Sequence, residues 1–290
     1  MSPFLRLAVI LVFFLVTYQF PHAAGAADEA TINIGILPCS DVVKTYEEYQ
    51  PLARYIANTT DRNVRLLVLE SYGELVNLLQ KGEVQFAIHG PGSYIRLAPF
   101  YDQQYLLKAL TPDGSDTSTG LVITRADSNI FSLNDLRGKT VEFGPTTSGI
   151  KSLAAELLFY RAGISIEKDL GSHAHGGCCG DILLNVFFRK FDAGVICMHG
   201  FNELKDEGFD RSKIRIIAET PPVSTNVFAV NRSVSPDLAG SVADSLLALD
   251  KKNPAHKKIL DAAGTGGFAR TTDSRYDELR KAIKHIESMQ

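Results

Sequence analysis

The sequence predicts an α/β protein of two lobes joined by two chain crossings. Short apolar runs alternate with helical patterns, the signature of strand-helix-strand units on a parallel sheet. That alternation is broken twice, by the polar stretches TPDGSDTSTG and AETPPVSTN, and starts afresh after the first. A chain of 290 residues, 45% of them hydrophobic, is long enough for one large or two modest domains.

The N-terminus MSPFLRLAVILVFFLVTYQFPHAAGAADEA has one arginine, an apolar run from Leu7 to about Val16, then Pro21 and small residues. It reads as a signal peptide over residues 1–26, cleaved after Ala24-Gly25-Ala26 so that the mature chain starts near Ala27. Lobe 1 then begins over 27–117 with the strand TINIGIL and a helical pattern from Tyr46 to Asn58. VRLLVL, the helix YGELVNLLQKG, the strand VQFAIHG and a helix opening at GSYIRLAPF follow. Lobe 2, over 118–221, holds the strands GLVIT, TVEFG and AGVIC, a short SLNDLRG turn, helices from Gly149 to Ala162 and Asp181 to Arg189, and a Gly/His/Cys loop between those helices. The strand VFAV opens a return to lobe 1 over 222–290 that is otherwise helical. GTGGF, from Gly264 to Phe268, lacks the Lys-Ser or Lys-Thr of a phosphate loop and reads as a turn.

The net charge of −3, with Lys and Arg scattered along the chain, argues against nucleic acid as a partner and leaves a small ligand or another protein. Ligands of open α/β sheets bind at the carboxyl ends of strands. Those ends carry Pro38–Asp41, Ser71-Tyr72, His89–Tyr94, Gly144–Gly149 and Cys197–Gly200. Thr146, Thr147 and Ser148 precede a helix, where free N–H groups and the helix dipole favour an anion, although one hydroxyl would suffice as a plain cap. Tyr72 and Tyr94 sit at strand-to-helix junctions, where each can serve as a polar ligand contact or as core packing.

YEEYQPLARYIANTT, SYGELVNLLQKGEVQFAIHGPGSYI, TGLVITRADSNIFSLNDLRGKTVEFGPTTSG and FDAGVIC resemble the phosphate, phosphite and phosphonate binding branch of the type 2 periplasmic solute-binding proteins. The resemblance implies a two-lobed periplasmic protein, not an enzyme, that works as a monomer without cofactors. It also implies that the protein closes on a small oxyanion and serves an ABC transporter permease or a membrane sensor. It places ligand contacts at Tyr72, Tyr94, Thr146, Thr147 and Ser148. Family members also carry a Ser-His before the next helix. Gly171-Ser172-His173 matches that string, which makes His173 a candidate; an ungapped count back from FDAG puts the position on Cys179 instead.

The four cysteines, Cys39, Cys178, Cys179 and Cys197, allow three complete pairings in an exported chain. The favoured reading is a brace from Cys197 to Cys178 or Cys179. The alternatives are a soft metal or sulfur compound held with the histidines of HAHGGCC, and a thiol-dependent enzyme.

Overall fold

The computed structural model describes residues 31–38, 42–206 and 209–287. The expected signal peptide, the cleavage point near Ala27 and Cys39 lie outside the described residues.

The first half of the chain runs β1 (Ile32–Ile36), α1 (Val42–Thr60), β2 (Val64–Val68), α2 (Tyr72–Gln80), β3 (Phe86–His89), α3 (Pro91–Leu97), β4 (Leu107–Leu110) and β5 (Thr117–Ser118). Next come β6 (Gly120–Arg125), β7 (Thr140–Phe143), α4 (Ala155–Arg161), α5 (Ile166–Asp169), β8 (Ser172–His175), α6 (Cys179–Phe187), β9 (Ala193–Cys197), α7 (Met198–Asp206) and β10 (Ile214–Glu219). The chain finishes with β11 (Val223–Ser224), β12 (Val227–Val230), α8 (Pro236–Leu247), α9 (Pro254–Ala262), β13 (Gly267–Arg270) and α10 (Asp277–Glu287).

Two sheets organise these elements. One has the order β13-β4-β12-β3-β1-β2, the other β10-β6-β9-β7-β8, and a two-stranded ribbon pairs β11 with β5 where the chain passes between them. β1 is parallel to β2 and β3, whereas β12 is antiparallel to both β3 and β4. In the second sheet β7 is parallel to β8 and β9, and β6 is antiparallel to β9 and β10. Both sheets are therefore mixed, not parallel throughout as the alternation predicts.

Alternating side chains fill both faces of each sheet. In the first, Phe86, Ile88, Phe228 and Val230 face a core with α1, α8 and α9, while Ala87, Val227 and Ala229 face Leu75, Tyr94 and Tyr101. In the second, Val122, Val141 and Phe143 pack with Phe159, while Leu121, Ile123 and Ile196 pack with Ile182 and Val186 of α6. Each such fully buried side chain contributes about 1.5–3 kcal/mol. A small cluster of Leu153, Leu279 and Ile283 joins α10 to the segment just before α4.

Six strands lie outside the sequence-based expectations, two of them the paired β5 and β11. β4 carries Lys108 inside the sheet, 7% exposed and ion-paired with Asp116. β10 and β13 are edge strands, each paired on one side only. β8 is Ser-His-Ala-His, the stretch expected to be a loop. Its backbone pairs with β7 in the register Val141↔His173 and Phe143↔His175. Short, polar edge strands of this kind protect a sheet from further pairing, so their composition hides them from a search for apolar runs.

Candidate functional site

The predicted anion motif folds into a turn wider than an α-helix. Gly149–Ala154 is a π-helical segment, with Leu153 N–H donating to the Ser148 carbonyl at 3.1 Å. Such segments reorient the side chains that follow. Ser148 Oγ accepts from Lys151 N–H at 3.0 Å, so this hydroxyl acts as the cap. Among the described residues, no hydrogen bond takes up the hydroxyl of exposed Thr146 or half-buried Thr147.

The wide turn swings Lys151 inward. Its side chain is 6% exposed, covers Gly144, and donates from Nζ to the Gly177 carbonyl at 3.1 Å. That charge lies beside the start of α6, where it holds the acidities of Cys179 and Asp181 higher than they would otherwise be. A buried ammonium, two free hydroxyls and a helix N-terminus together favour an anion. Sequence reasoning missed Lys151, which reads as an ordinary solvated lysine in the first turn of a helix.

The first sheet's elements meet this turn directly. A Cβ added at Gly92, in the first turn of α3, would lie 2.4 Å from the Thr147 carbonyl oxygen, and one added at Gly149 would lie 2.6 Å from Pro91 Cγ. Both contacts are closer than real Cβ atoms approach, so the two segments touch because both positions are glycine.

Tyr72 begins α2 behind the cap Ser71, whose Oγ accepts from Glu74 N–H at 3.1 Å. The side chain is half-buried, and burial pushes its phenol up while Arg96 opposes the shift. Tyr94, by contrast, is wholly buried. Its hydroxyl lies 2.6 Å from Asp273 Oδ1 and 2.8 Å from Gln103 Oε1, and its ring packs 4.6 Å from that of Tyr276. Burial and then the Asp273 hydrogen bond push the Tyr94 phenol well up. Burial works to raise Asp273, but its hydrogen bonds to Arg280 and Tyr94 outweigh that and leave the carboxyl below its usual value. The Tyr94 hydroxyl is thus engaged by the chain itself.

His89 is also a core residue, 2% exposed. Its Nδ1 lies 3.2 Å from the Gly90 carbonyl and its Nε2 2.8 Å from the Tyr101 hydroxyl, and burial lowers its pKa to about 4.

The strand geometry of β8 corrects the reading of His173 as a loop residue just before a helix. His173 sits within β8, with Nε2 3.4 Å from Glu167 Oε1 and its ring edge-on to Phe143. His175, at the carboxyl end of β8, is the histidine that reaches the motif. Its Nδ1 lies 3.3 Å from Ser152 Oγ and 3.2 Å from the Gly144 carbonyl.

Cys179 is the first residue of α6 and Cys178 its cap. Cys178 Sγ lies 3.1 Å from Asp181 Oδ2, whereas Cys179 Sγ lies 2.9 Å from Cys197 Sγ. Burial pushes the Cys178 thiol up, and contact with Cys197 followed by burial pushes Cys179 up further. An activated nucleophile needs the opposite shift, which leaves the thiol-enzyme alternative without support at these two residues. Among the described residues, no three His, Cys, Asp or Glu side chains gather to hold a metal ion.

An open cavity of about 620 Å³ is lined by Asp113, Thr117, Thr119, His199, Asn202 and Asp261 among others. Of the strand-end residues singled out in the sequence, Met198 and His199 line it, whereas Tyr72, Tyr94, Thr146, Thr147, Ser148, His173 and Cys179 do not.

Residues 34–276 match the family described as ABC transporter, phosphonate, periplasmic substrate-binding protein. The chain belongs to this family. Members of this family are substrate-binding components of transporters. Two solved relatives share the fold. PhnD1 from Prochlorococcus marinus, solved with methylphosphonate, is 17% identical with a TM-score of 0.79 over 89% of this chain and 98% of its own. A binding protein component of an ABC phosphonate transporter from Pseudomonas aeruginosa is 16% identical with a TM-score of 0.77 over 88% and 86%. The two-lobed α/β fold is therefore the observed one. The tetrathionate sensor histidine kinase TtrS of Salmonella typhimurium is 28% identical over 250 residues, which cover 78% of this chain and 40% of that protein. The chain thus spans about two fifths of that relative's length. Among the described residues, no helix of this phosphonate-binding family member is long and apolar enough to cross a membrane.

Proposed function

We propose that the protein binds a small tetrahedral oxyanion of the phosphonate class between its two lobes and delivers it, as a periplasmic monomer, to an ABC transporter permease. The observation that carries this reading is the buried Lys151 ammonium, bonded to Gly177, on the same turn that bears the unbonded hydroxyls of Thr146 and Thr147. Fixed charge and free donors at helix starts match the demands of a phosphonate oxygen cluster. Thr146, Thr147, Lys151 and Tyr72 donate to the ligand. Ser148 holds the turn, Tyr94 supports the α3 side from within the core, and His175 takes the role expected of His173. The mechanism is closure: contacts from both lobes stabilise the closed state over the open one, and the partner reads the difference. Calorimetry with methylphosphonate, phosphite and phosphate on the mature protein tests this. One ligand should bind at a single site, and Lys151→Met should abolish that binding. No binding of any of the three would reject the reading.

A second reading has a specific observation in its favour: the Cys178 thiol and the helix turn that it caps occupy the start of α6. Together with the tetrathionate sensor among the relatives, they support a sulfur oxyanion as ligand and a membrane sensor as partner. Parallel titration with tetrathionate and methylphosphonate on a Cys178→Ser variant and on the native protein decides between the two. A tetrathionate preference that depends on this thiol would favour sensing.

A further inference from the structure

We infer that Cys179 and Cys197 are joined by a disulfide in the exported protein, with Cys178 left as a free thiol. The three thiols lie within one small region, yet their surroundings separate them. Cys197 ends β9 and Cys179 begins α6, and their Sγ atoms are 2.9 Å apart. The Cys197 N–H also donates to Cys179 Sγ at 3.3 Å, which fixes the side chain of Cys179 towards the strand end. A disulfide bond length of about 2.05 Å requires only a small further approach along a line the two side chains already share.

Cys178 faces elsewhere. Asp181 Oδ2 holds both its Sγ, at 3.1 Å, and its backbone N–H, at 3.2 Å, in a reciprocal cap of α6. Linking Cys178 to Cys197 would break that cap. Linking it to Cys179 would strain a ring between neighbours at a helix start. The walls around the pair are tight as well: a Cβ added at Gly200, in the first turn of α7, would come within 2.7 Å of Cys179 Cβ, 2.8 Å of its Sγ and 3.3 Å of Cys197 Sγ. Glycine at this position leaves room for the two sulfurs, which any larger residue would displace.

The redox step balances as a thiol–disulfide exchange. The Cys179 and Cys197 thiols give up two protons and two electrons as their S–S bond forms, and the disulfide of an exported thiol oxidoreductase is cleaved to two thiols that accept them. The same contacts resist reversal. Cys179 is a thiol of raised pKa, hence a poor leaving group, and a disulfide that would release it exchanges slowly. The bond pins the α6 start two residues after Gly177, whose carbonyl holds Lys151.

Differential alkylation of the full-length protein recovered from the periplasm tests the inference. Free thiols are labelled with one reagent under denaturing, non-reducing conditions, and those released by reduction with a second. Cys179 and Cys197 should carry the second label and Cys178 the first, and a peptide pair spanning Cys179 and Cys197 should appear before reduction. Cys178→Ser should leave that linkage intact, and Cys179→Ser should expose Cys197 to the first reagent. First label on both Cys179 and Cys197, or a linkage of Cys197 to Cys178 or Cys39, would overturn it. Because the readout is covalent, it stands or falls independently of any ligand.

Discussion

Thr147 presents a hydroxyl that no described group takes up, on a turn whose neighbouring hydroxyl, that of Ser148, is already spent on a cap. Replacing Thr147 by Val keeps the volume and removes the donor, so oxyanion affinity should fall by about 1–3 kcal/mol with little change in thermal stability. Calorimetry and a melting curve on one preparation check both halves. His89 supports a second prediction. Its pKa falls from 6.5 to about 4 on burial, so above pH 6.5 it is neutral whether folded or not. As pH drops below 6.5 the unfolded chain takes up a proton that the folded one refuses, and stability is lost progressively until about pH 4. The loss attributable to this residue amounts to roughly 3 kcal/mol. Denaturant midpoints across that range should fall more steeply for the native protein than for His89→Gln, and equal slopes would contradict the assignment.

At the scale of elements, the contact between the first turn of α3 and the π-turn decides how closely the lobes approach. Gly92→Ala adds a methyl where 2.4 Å separates it from the Thr147 carbonyl oxygen, although alanine itself suits a helix better than glycine. One of the two segments must therefore shift, so ligand affinity should drop at least about tenfold, near 1.4 kcal/mol, and the melting temperature of the unliganded protein should fall with it. Elements with apolar, β-branched runs were legible in the sequence: Ile32–Ile36, Phe86–His89, Ala193–Cys197 and Val227–Val230 are buried strands and read as such. β8 was not, because its register comes from β7 and its own residues are polar. The Gly-Ser-His match drew attention to His173, whereas His175, on the same face but opposite Phe143 at the carboxyl end of β8, is the one that lies against the motif. The positions of the hydroxyls and tyrosines at helix starts were legible because strand-to-helix junctions are predictable. Lys151 was not, because a lysine near a helix start reads as a solvated side chain by its residue type.

Over the whole molecule, α10 ties the two lobes together. Tyr276, just before this helix, is buried in the core of the first sheet, while Leu279 and Ile283 pack on Leu153 beside the second. Leu279→Ala should weaken the closed arrangement by about 2 kcal/mol, at the low end for a leucine truncation because the cluster is small. Small-angle scattering should then give a larger radius of gyration for the unliganded variant than for the native protein, with the difference removed by saturating ligand.

The chain passes between its two sheets through β5 and β11, and these two segments pair with each other, Val223 to Ser118 and Ser224 to Thr117. A joint built this way bends without parting, because the hydrogen bonds of its ribbon run between the two passing strands and none has to break when the sheets rotate. Deuterium uptake should show it: amides of this ribbon keep the same slow exchange with and without ligand, while those of Gly92 and Gly149 slow sharply when ligand binds. The protein would then register its ligand at the mouth of the cleft and remain silent at the axis about which it turns.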